Sequence, residues 1–298
     1  MRSNQSRQFI KQKIISFISI IGFIISACAL MYPVMSDKWN SYRNHLLINE
    51  YNESVQHNTS NSKQLFNQAK RYNQHLHENT TAIITTDKSE QNNDYESILN
   101  PNNDGMIGYI EIPKIDIKEP IYHNSDVETL EKGIGHIKGS SFPVDDSNSH
   151  TILTGHRGLP NKKIFTDLDK LTVNDCFYIH ILDRVFAYRV YSIETVLPYE
   201  VENLTIENNR NLVTLVTCTP YGVNTHRLLV KAEKIPFDDT NINDLAEITE
   251  QYHFVVDAST WVLIGFLVFI IILLTVSLIG QKKNKNKGCV RCKRKYIK

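Results

Sequence analysis

The chain contains little cysteine, proline or glycine, and its charges almost cancel. Of its 298 residues, five are Cys, nine are Pro and twelve are Gly, and 33 basic residues face 32 acidic ones. A net charge of +1 argues against a nucleic-acid-binding protein, since no basic surface can dominate. The length allows one or two domains and provides ample chain for a hydrophobic core.

The few cysteines exclude a disulfide-built domain. Only Cys176 and Cys218 lie in the long polar part of the chain, so no disulfide framework is possible there. A bridge between these two would remove a candidate nucleophile. Cys176 opens an alternating strand, where we expect it to be a small buried residue. Cys289 and Cys292 form a C-x-x-C pair in the basic tail, without the further ligands that zinc needs. We therefore predict no metal site and no cofactor.

Two long uncharged runs, residues 14–35 and 258–280, are each long enough to cross a membrane. Lysines and arginines lie between each run and the nearer end of the chain. By the positive-inside rule, this predicts that both termini are cytoplasmic. The part between the runs would then lie outside the cell, with Trp39 and Trp261 near the outer interface. A cleaved signal peptide is the alternative for the first run.

A strand, a turn and a second strand form the region richest in chemical signals. Residues 212–218 are apolar and β-branched, residues 219–226 hold Pro, Gly and Asn, and alternation resumes at Arg227. This pattern places the Cys218 thiol at the end of one strand and the Arg227 guanidinium at the start of the next. A nucleophile beside a cationic donor fork suits acyl transfer. A buried structural Cys and a solvated Arg remain the alternative from spacing alone.

A cysteine nucleophile needs a nearby imidazole, because an unperturbed thiol is only about 3% ionised at pH 7. His156 is the best candidate, since it lies in a glycine-containing turn after a short strand. His226 is the rival by proximity, although it would point away from Arg227 if the strand begins there. The other histidines of the strand-rich region are expected at the surface or in turns: His123, His136, His150 and His180.

The overall pattern is mainly β. Many short strands between residues 106 and 235, with few helices, predict a closed barrel. Residues 37–80 carry two apolar stripes at helical spacing, one containing Tyr51 and the other Tyr72. Two amphipathic helices could form either a stalk or a flank packed on the barrel.

Three segments resemble class C sortases, the pilin-polymerising transpeptidases of Gram-positive surfaces. Thr214-Leu-Val-Thr-Cys218, continuing to Arg227, is similar to their cysteine signature. Thr154-Gly-His-Arg-Gly-Leu-Pro160, with the following residues 165–171, resembles their histidine segment, and residues 108–115 resemble their first barrel strand. The match runs with gaps from about residue 39 to residue 235, and it favours helices packed on the barrel.

The resemblance implies a membrane-anchored cysteine transpeptidase. Cys218 would attack an LPxTG-like sorting signal, His156 would act as general acid and base, and Arg227 would stabilise the oxyanion or position the substrate. The acceptor would be a pilin lysine, or alternatively a peptidoglycan-precursor amine. The alternative hypotheses are a hydrolytic cysteine protease, a non-enzymatic adhesin or scaffold, and a transmembrane sensor.

These observations divide the chain into an expected series of segments. Residues 81–105 are a loop or lid, although the Asp-Pro-aromatic triplet common in class C lids is absent. The full series is a basic end and anchor (1–36), a helical flank (37–80), the loop or lid (81–105), the catalytic barrel (106–236), a linker (237–257), a second transmembrane helix (258–280) and a basic cytoplasmic tail (281–298).

Overall fold

The computed structural model describes residues 2–57, 59–78, 95–159, 162–200 and 204–237, together with Gly265, Phe266 and Phe269. The chain forms two compact units, Met1–Asn243 and Asp244–Lys298. In the second unit the three described residues are helical.

Eight strands of the first unit close into a barrel in the order β1-β2-β3-β4-β7-β8-β6-β5. The prediction of a mainly β, closed-barrel fold is therefore confirmed. The strands are β1 Met106–Ile112, β2 Ile117–His123, β3 Ile134–His136, β4 Ser149–Thr154, β5 Cys176–Ile181, β6 Arg184–Val196, β7 Asn211–Thr219 and β8 His226–Ile235.

The described helices of the first unit mostly precede the barrel. They are α1 Arg2–His57, α2 Thr59–Glu78 and the six-residue α3 Val127–Lys132. The side chain of Asp126 caps α3 by accepting a hydrogen bond of 2.9 Å from the Thr129 amide. Single 3₁₀ turns occur at Tyr95–Ser97, Pro113–Ile115 and Leu168–Lys170.

Strand alternation separates two apolar clusters. Val213, Leu215 and Val230 belong to the main core, whereas Val216 and Leu229 belong to a smaller cluster. Since successive side chains of a strand point to opposite faces, the β7 and β8 residues of the main cluster point into the barrel and those of the smaller cluster lie on its outer surface.

Both long helices pack on the barrel. The Tyr51 hydroxyl of α1 donates to the Ile107 carbonyl and accepts from the Leu182 amide, each at 2.9 Å. The Asn73 side chain of α2 makes two hydrogen bonds with the backbone of Phe142, at 2.8 and 3.0 Å. Tyr51 and Asn73 are fully buried, so these helices form a flank and not a free stalk.

The described residues contain one candidate membrane-spanning helix. The stretch Phe17–His57 within α1 contains a window that is apolar and long enough to cross a membrane. The helix continues through Pro33 without a break. The second predicted span and the basic tail lie outside the described residues, apart from three helical positions.

Several side chains lie in environments that differ from expectation. Cys176 is partly exposed and not buried, because it stands at the first position of β5. Conversely, His123, His136 and His150 are buried and not surface residues. Most of the predicted loop or lid, residues 81–94, lies outside the described residues, while Tyr95 just after it is buried against the barrel.

Candidate active site

Cys218 and Arg227 are directly opposite one another on neighbouring antiparallel strands. β7 and β8 pair in a register that matches Cys218 with Arg227. The turn between them is closed by hydrogen bonds from the Val223 and Asn224 amides to the Pro220 carbonyl, at 3.1 and 3.0 Å. Since opposed residues of an antiparallel pair share a face, the thiol and the guanidinium belong to the same side of the sheet.

His156 follows the strand on the other side of β7. β4 runs parallel to β7 with Thr154 matched to Val216. The pairing then continues, because the Gly155 amide donates to the Val216 carbonyl at 3.1 Å and the Thr217 hydroxyl to the Gly155 carbonyl at 2.8 Å. Extending this register by one more residue brings His156 level with Cys218.

The three candidate residues belong to the outer face of the barrel. Val216 and Leu229 belong to the outer apolar cluster, and alternation assigns Cys218 and Arg227 to the same face. The side chains of Cys218, Arg227 and His156 are all partly exposed. A substrate could therefore reach a thiol that has the other two residues in the same cross-strand row.

The Arg227 guanidinium is held by the turn that precedes it. It donates to the carbonyls of Asn224 and His226, at 3.3 and 3.1 Å. These contacts keep a permanent positive charge at the start of β8, and the guanidinium donors that they leave unused can face a substrate. His226 is the first residue of β8, one position from Arg227, and thus points to the other face.

Other buried histidines are occupied by structural hydrogen bonds. His150 contacts the Thr205 carbonyl and the Thr214 hydroxyl, both at 2.7 Å. His123 contacts the carbonyls of Gly105 and Ile98 at 3.0 and 2.8 Å. Burial lowers the pKa of both imidazoles. Each stabilises a loop against the barrel and is far less available than the partly exposed His156.

Sequence reasoning missed the role of Arg157, which directly follows His156. Its side chain is only 7% exposed and pairs with Asp169 at 2.5 Å. Its second terminal nitrogen donates to the Thr219 hydroxyl at 3.2 Å, and the guanidinium lies 6.0 Å from the Tyr221 ring. Arg157 thereby joins the loop that carries His156 to the turn that follows Cys218.

Gly158 permits this close approach of the two loops. Its backbone is left-handed, with φ of 80°, and a Cβ there would lie 2.9 Å from the Tyr221 ring. Arg157, Gly158 and Asp169 all fall inside the two histidine-segment motifs, which was the signal available in the sequence. Their contacts could not be inferred, because a charged residue in a loop usually faces solvent.

Within the described part of the chain, no group of three or more His, Cys, Asp or Glu side chains is arranged to hold a metal ion. The functional groups of the candidate site are a thiol, an imidazole and two guanidinium groups, those of Cys218, His156, Arg227 and Arg157.

Comparisons with known proteins agree with this geometry. Residues 110–235 match the Sortase domain family. Sortase D of Bacillus subtilis (strain 168) is 30% identical over 115 residues, which are 39% of this chain and 55% of that protein. The chain thus spans about half the length of the curated relatives it matches, from 52% to 60%.

Solved structures cover more of the chain. Sortase C1 from Streptococcus agalactiae is 43% identical, with a TM-score of 0.61, over 64% of this chain and 99% of that one. Clostridium perfringens sortase C, solved with the C-terminal cell wall sorting motif, is 39% identical, with a TM-score of 0.56, over 64% and 98%. On this identity and near-complete coverage of the solved domains, the chain belongs to the sortase family and, within it, to class C.

Proposed function

We propose that this protein is a membrane-anchored cysteine transpeptidase that cleaves an LPxTG-like sorting signal and joins the acyl group to an amine. The observation that carries the proposal is the cross-strand pair of Cys218 and Arg227 in a sortase barrel, with His156 two residues beyond the end of the strand that pairs with β7 on its other side. A thiol, a base and a fixed cation in one row are the groups that acyl transfer requires.

The first half-reaction releases an amine. The Cys218 sulfur, ionised by proton transfer to His156, attacks the carbonyl carbon of the scissile peptide bond. Arg227 donates to the oxygen as it gains negative charge, and the imidazolium of His156 protonates the leaving nitrogen. The products are a thioester on Cys218 and a new amino terminus.

The second half-reaction consumes an amine. His156 removes a proton from the incoming nitrogen, which attacks the thioester, and Cys218 leaves as the thiolate. A lost oxyanion donor typically raises the barrier by about 3 kcal/mol, roughly 100-fold in rate. Arg227→Lys should also be slow, because the planar donor fork is lost.

The class C neighbours support a proposal for the substrates. A related sortase C was solved with a C-terminal cell wall sorting motif, which supports a sorting-signal protein as the acyl donor. We propose a pilin lysine as the acceptor, so that the enzyme polymerises pilin subunits. A peptidoglycan-precursor amine is the second candidate, and water would make the enzyme a hydrolase.

We also propose a two-pass topology with the catalytic barrel outside the cell. α1 supplies the first span, and residues 258–280 would supply the second, followed by a cytoplasmic basic tail. The segments are those predicted above: anchor 1–36, helical flank 37–80, loop or lid 81–105, barrel 106–236 and linker 237–257.

The test is mass spectrometry of the full chain in detergent after incubation with a sorting-signal peptide. We expect a thioester adduct on Cys218, and its transfer to an added amine. Cys218→Ala and His156→Ala should both abolish turnover while the barrel still melts cooperatively. Cys176→Ala is the matched control, since that thiol is also partly exposed but stands at the start of β5. Turnover by Cys218→Ala, or an adduct on Cys176, would overturn the proposal.

A further inference from the structure

A buried cluster of three polar side chains lies where α1, β2 and the loop after His156 meet. Lys162 Nζ is 3.5 Å from Asn44 Oδ1 and 3.8 Å from Glu119 Oε2, and it also donates to the Lys132 carbonyl. The side chains of Lys162 and Glu119 are 7% and 12% exposed, and Asn44 is 3% exposed. An amine, a carboxamide and a carboxyl group therefore touch one another out of water.

Two atoms of this cluster lack a hydrogen bond of normal geometry. Among the described residues, Asn44 Nδ2 and Glu119 Oε2 have no partner at hydrogen-bond distance, although Asn44 is close enough to Glu119 to act on the pKa of its carboxyl group. Buried polar groups are normally paired, so unpaired atoms in such a place call for an explanation. They belong to the carboxamide and to the carboxyl group beside the amine.

Burial also favours the uncharged forms of the pair. It raises the pKa of Glu119 to about 7, although Lys162 acts against this rise. It lowers the pKa of Lys162, although Glu119 acts in the opposite direction. Burial therefore brings the pKa of the Lys162 ammonium group and that of the Glu119 carboxyl group closer together, which favours the form with a nucleophilic amine beside a carboxylic acid.

We propose that Lys162 and Asn44 form an intramolecular isopeptide bond, with Glu119 as the proton carrier. The Nζ lone pair attacks Asn44 Cγ, a Cγ–Nζ bond forms and the Cγ–Nδ2 bond breaks. Glu119 gives its proton to Nδ2, which leaves as ammonia, and takes one from Nζ. One amine and one primary amide become one secondary amide and ammonia, so no oxidant or cofactor is needed.

The product removes each of the unusual features of the cluster. The unpaired Asn44 Nδ2 departs with the ammonia, and no charged pair has to stay buried. The protonated Glu119 carboxyl can donate to the oxygen of the new amide. The remaining N–H on Lys162 Nζ keeps the acceptor that Nζ already contacts, the Lys132 carbonyl.

The bond would connect the anchor helix to the loop of the proposed catalytic base. Asn44 lies on α1, which contains the candidate membrane span, and Lys162 follows His156 by six residues. The two residues are 118 positions apart in sequence. The link would therefore hold this loop against the flank helix through a covalent tie.

The test is the intact mass of the full chain, purified from membranes and denatured. We expect the wild-type mass to fall short of the calculated one by one ammonia. A tryptic digest should contain a branched peptide that joins Asn44 to Lys162, with no cleavage after Lys162. Lys162→Arg should have its full calculated mass, and Glu119→Gln should remain largely unlinked although its side-chain volume is unchanged.

Each other outcome overturns the inference. A wild-type chain of full mass would show that the cluster is only a buried ion pair with an amide beside it. Ammonia lost at another asparagine would appear in a different peptide and exclude the link equally. Full cross-linking in a folded Glu119→Gln variant, checked by melting, would refute the role of Glu119. None of these readouts requires transpeptidase activity, so they are independent of the proposed function.

Discussion

Arg157→Gln is the substitution that best separates positioning from catalysis at this site. The variant keeps a polar but shorter side chain and loses the charge and the donor fork that reach Asp169 and Thr219. Asp169 is 49% exposed, so solvent screening limits its ion pair with Arg157 to about 1 kcal/mol. The hydrogen bond to Thr219 adds about 1 kcal/mol. We therefore expect unfolding to become easier by about 2 kcal/mol.

The effect on turnover should be larger than the effect on stability. Without Arg157 the His156 loop is no longer held to the turn after Cys218, and a displacement of about 1 Å between reacting groups can cost about 100-fold in rate. Substrate contacts are not directly removed, so kcat should fall and KM should change little. Steady-state kinetics with a sorting-signal peptide and an amine acceptor measure both parameters.

Two variants complete the experiment. Arg157→Lys should recover only part of the rate, because one ammonium group cannot span Asp169 and Thr219 as the guanidinium does. Arg189→Gln is the matched control, an exposed arginine on β6 opposite Cys176. If Arg157→Gln melts earlier but keeps the wild-type kcat, the residue is merely structural and the positioning argument is wrong.

Two further predictions concern pH and topology. Burial lowers the pKa of His136 from 6.5 to about 3, so this imidazole stays neutral while its unfolded counterpart takes up a proton. The free energy of unfolding should therefore decrease as pH falls from 6.5 towards 3, and this group should account for about 2 kcal/mol of the loss at pH 5. Denaturant unfolding at pH 7.5 and at pH 5 measures this loss, which should be smaller in a folded His136→Gln variant than in the wild type. An equal loss in the two proteins would contradict the assignment. For topology, an impermeant maleimide should label Cys176 on intact cells but Cys289 only after permeabilisation, and labelling of Cys289 on intact cells would exclude the two-pass arrangement.

The sequence was sufficient for the features that depend on near neighbours. The pairing of Cys218 with Arg227 follows from one turn, because the strand, the Pro-Gly-Asn turn and the resumed alternation leave little choice of register. The barrel was predictable for the same reason, since its strands are short and regularly bounded by turns. Local pattern therefore located two of the three candidate residues relative to one another.

The burial of individual side chains could not be predicted from the local sequence pattern. Cys176 was expected to be buried because it opens an alternating strand, but the first position of β5 lies at the rim of the barrel. His123 and His136 are buried against backbone carbonyls, those of Ile98 and Gly105 for His123 and that of Ser141 for His136. The polarity of histidine gives no indication of such partners before the chain has folded.

The position of His156 shows where the limit of local reasoning lies. The strand that precedes it, β4, is separated from β7 by more than 55 residues, and the two are parallel, so no turn sets their register. What sets it is burial on both faces, with Leu153 and Leu215 in the barrel interior and Ile152 and Val216 in the outer cluster. A slip by one residue would exchange the two faces and bury the wrong set of side chains. The same apolar packing that stabilises the barrel therefore brings His156 level with Cys218, and Arg157 then fixes the loop beyond the last ladder hydrogen bond.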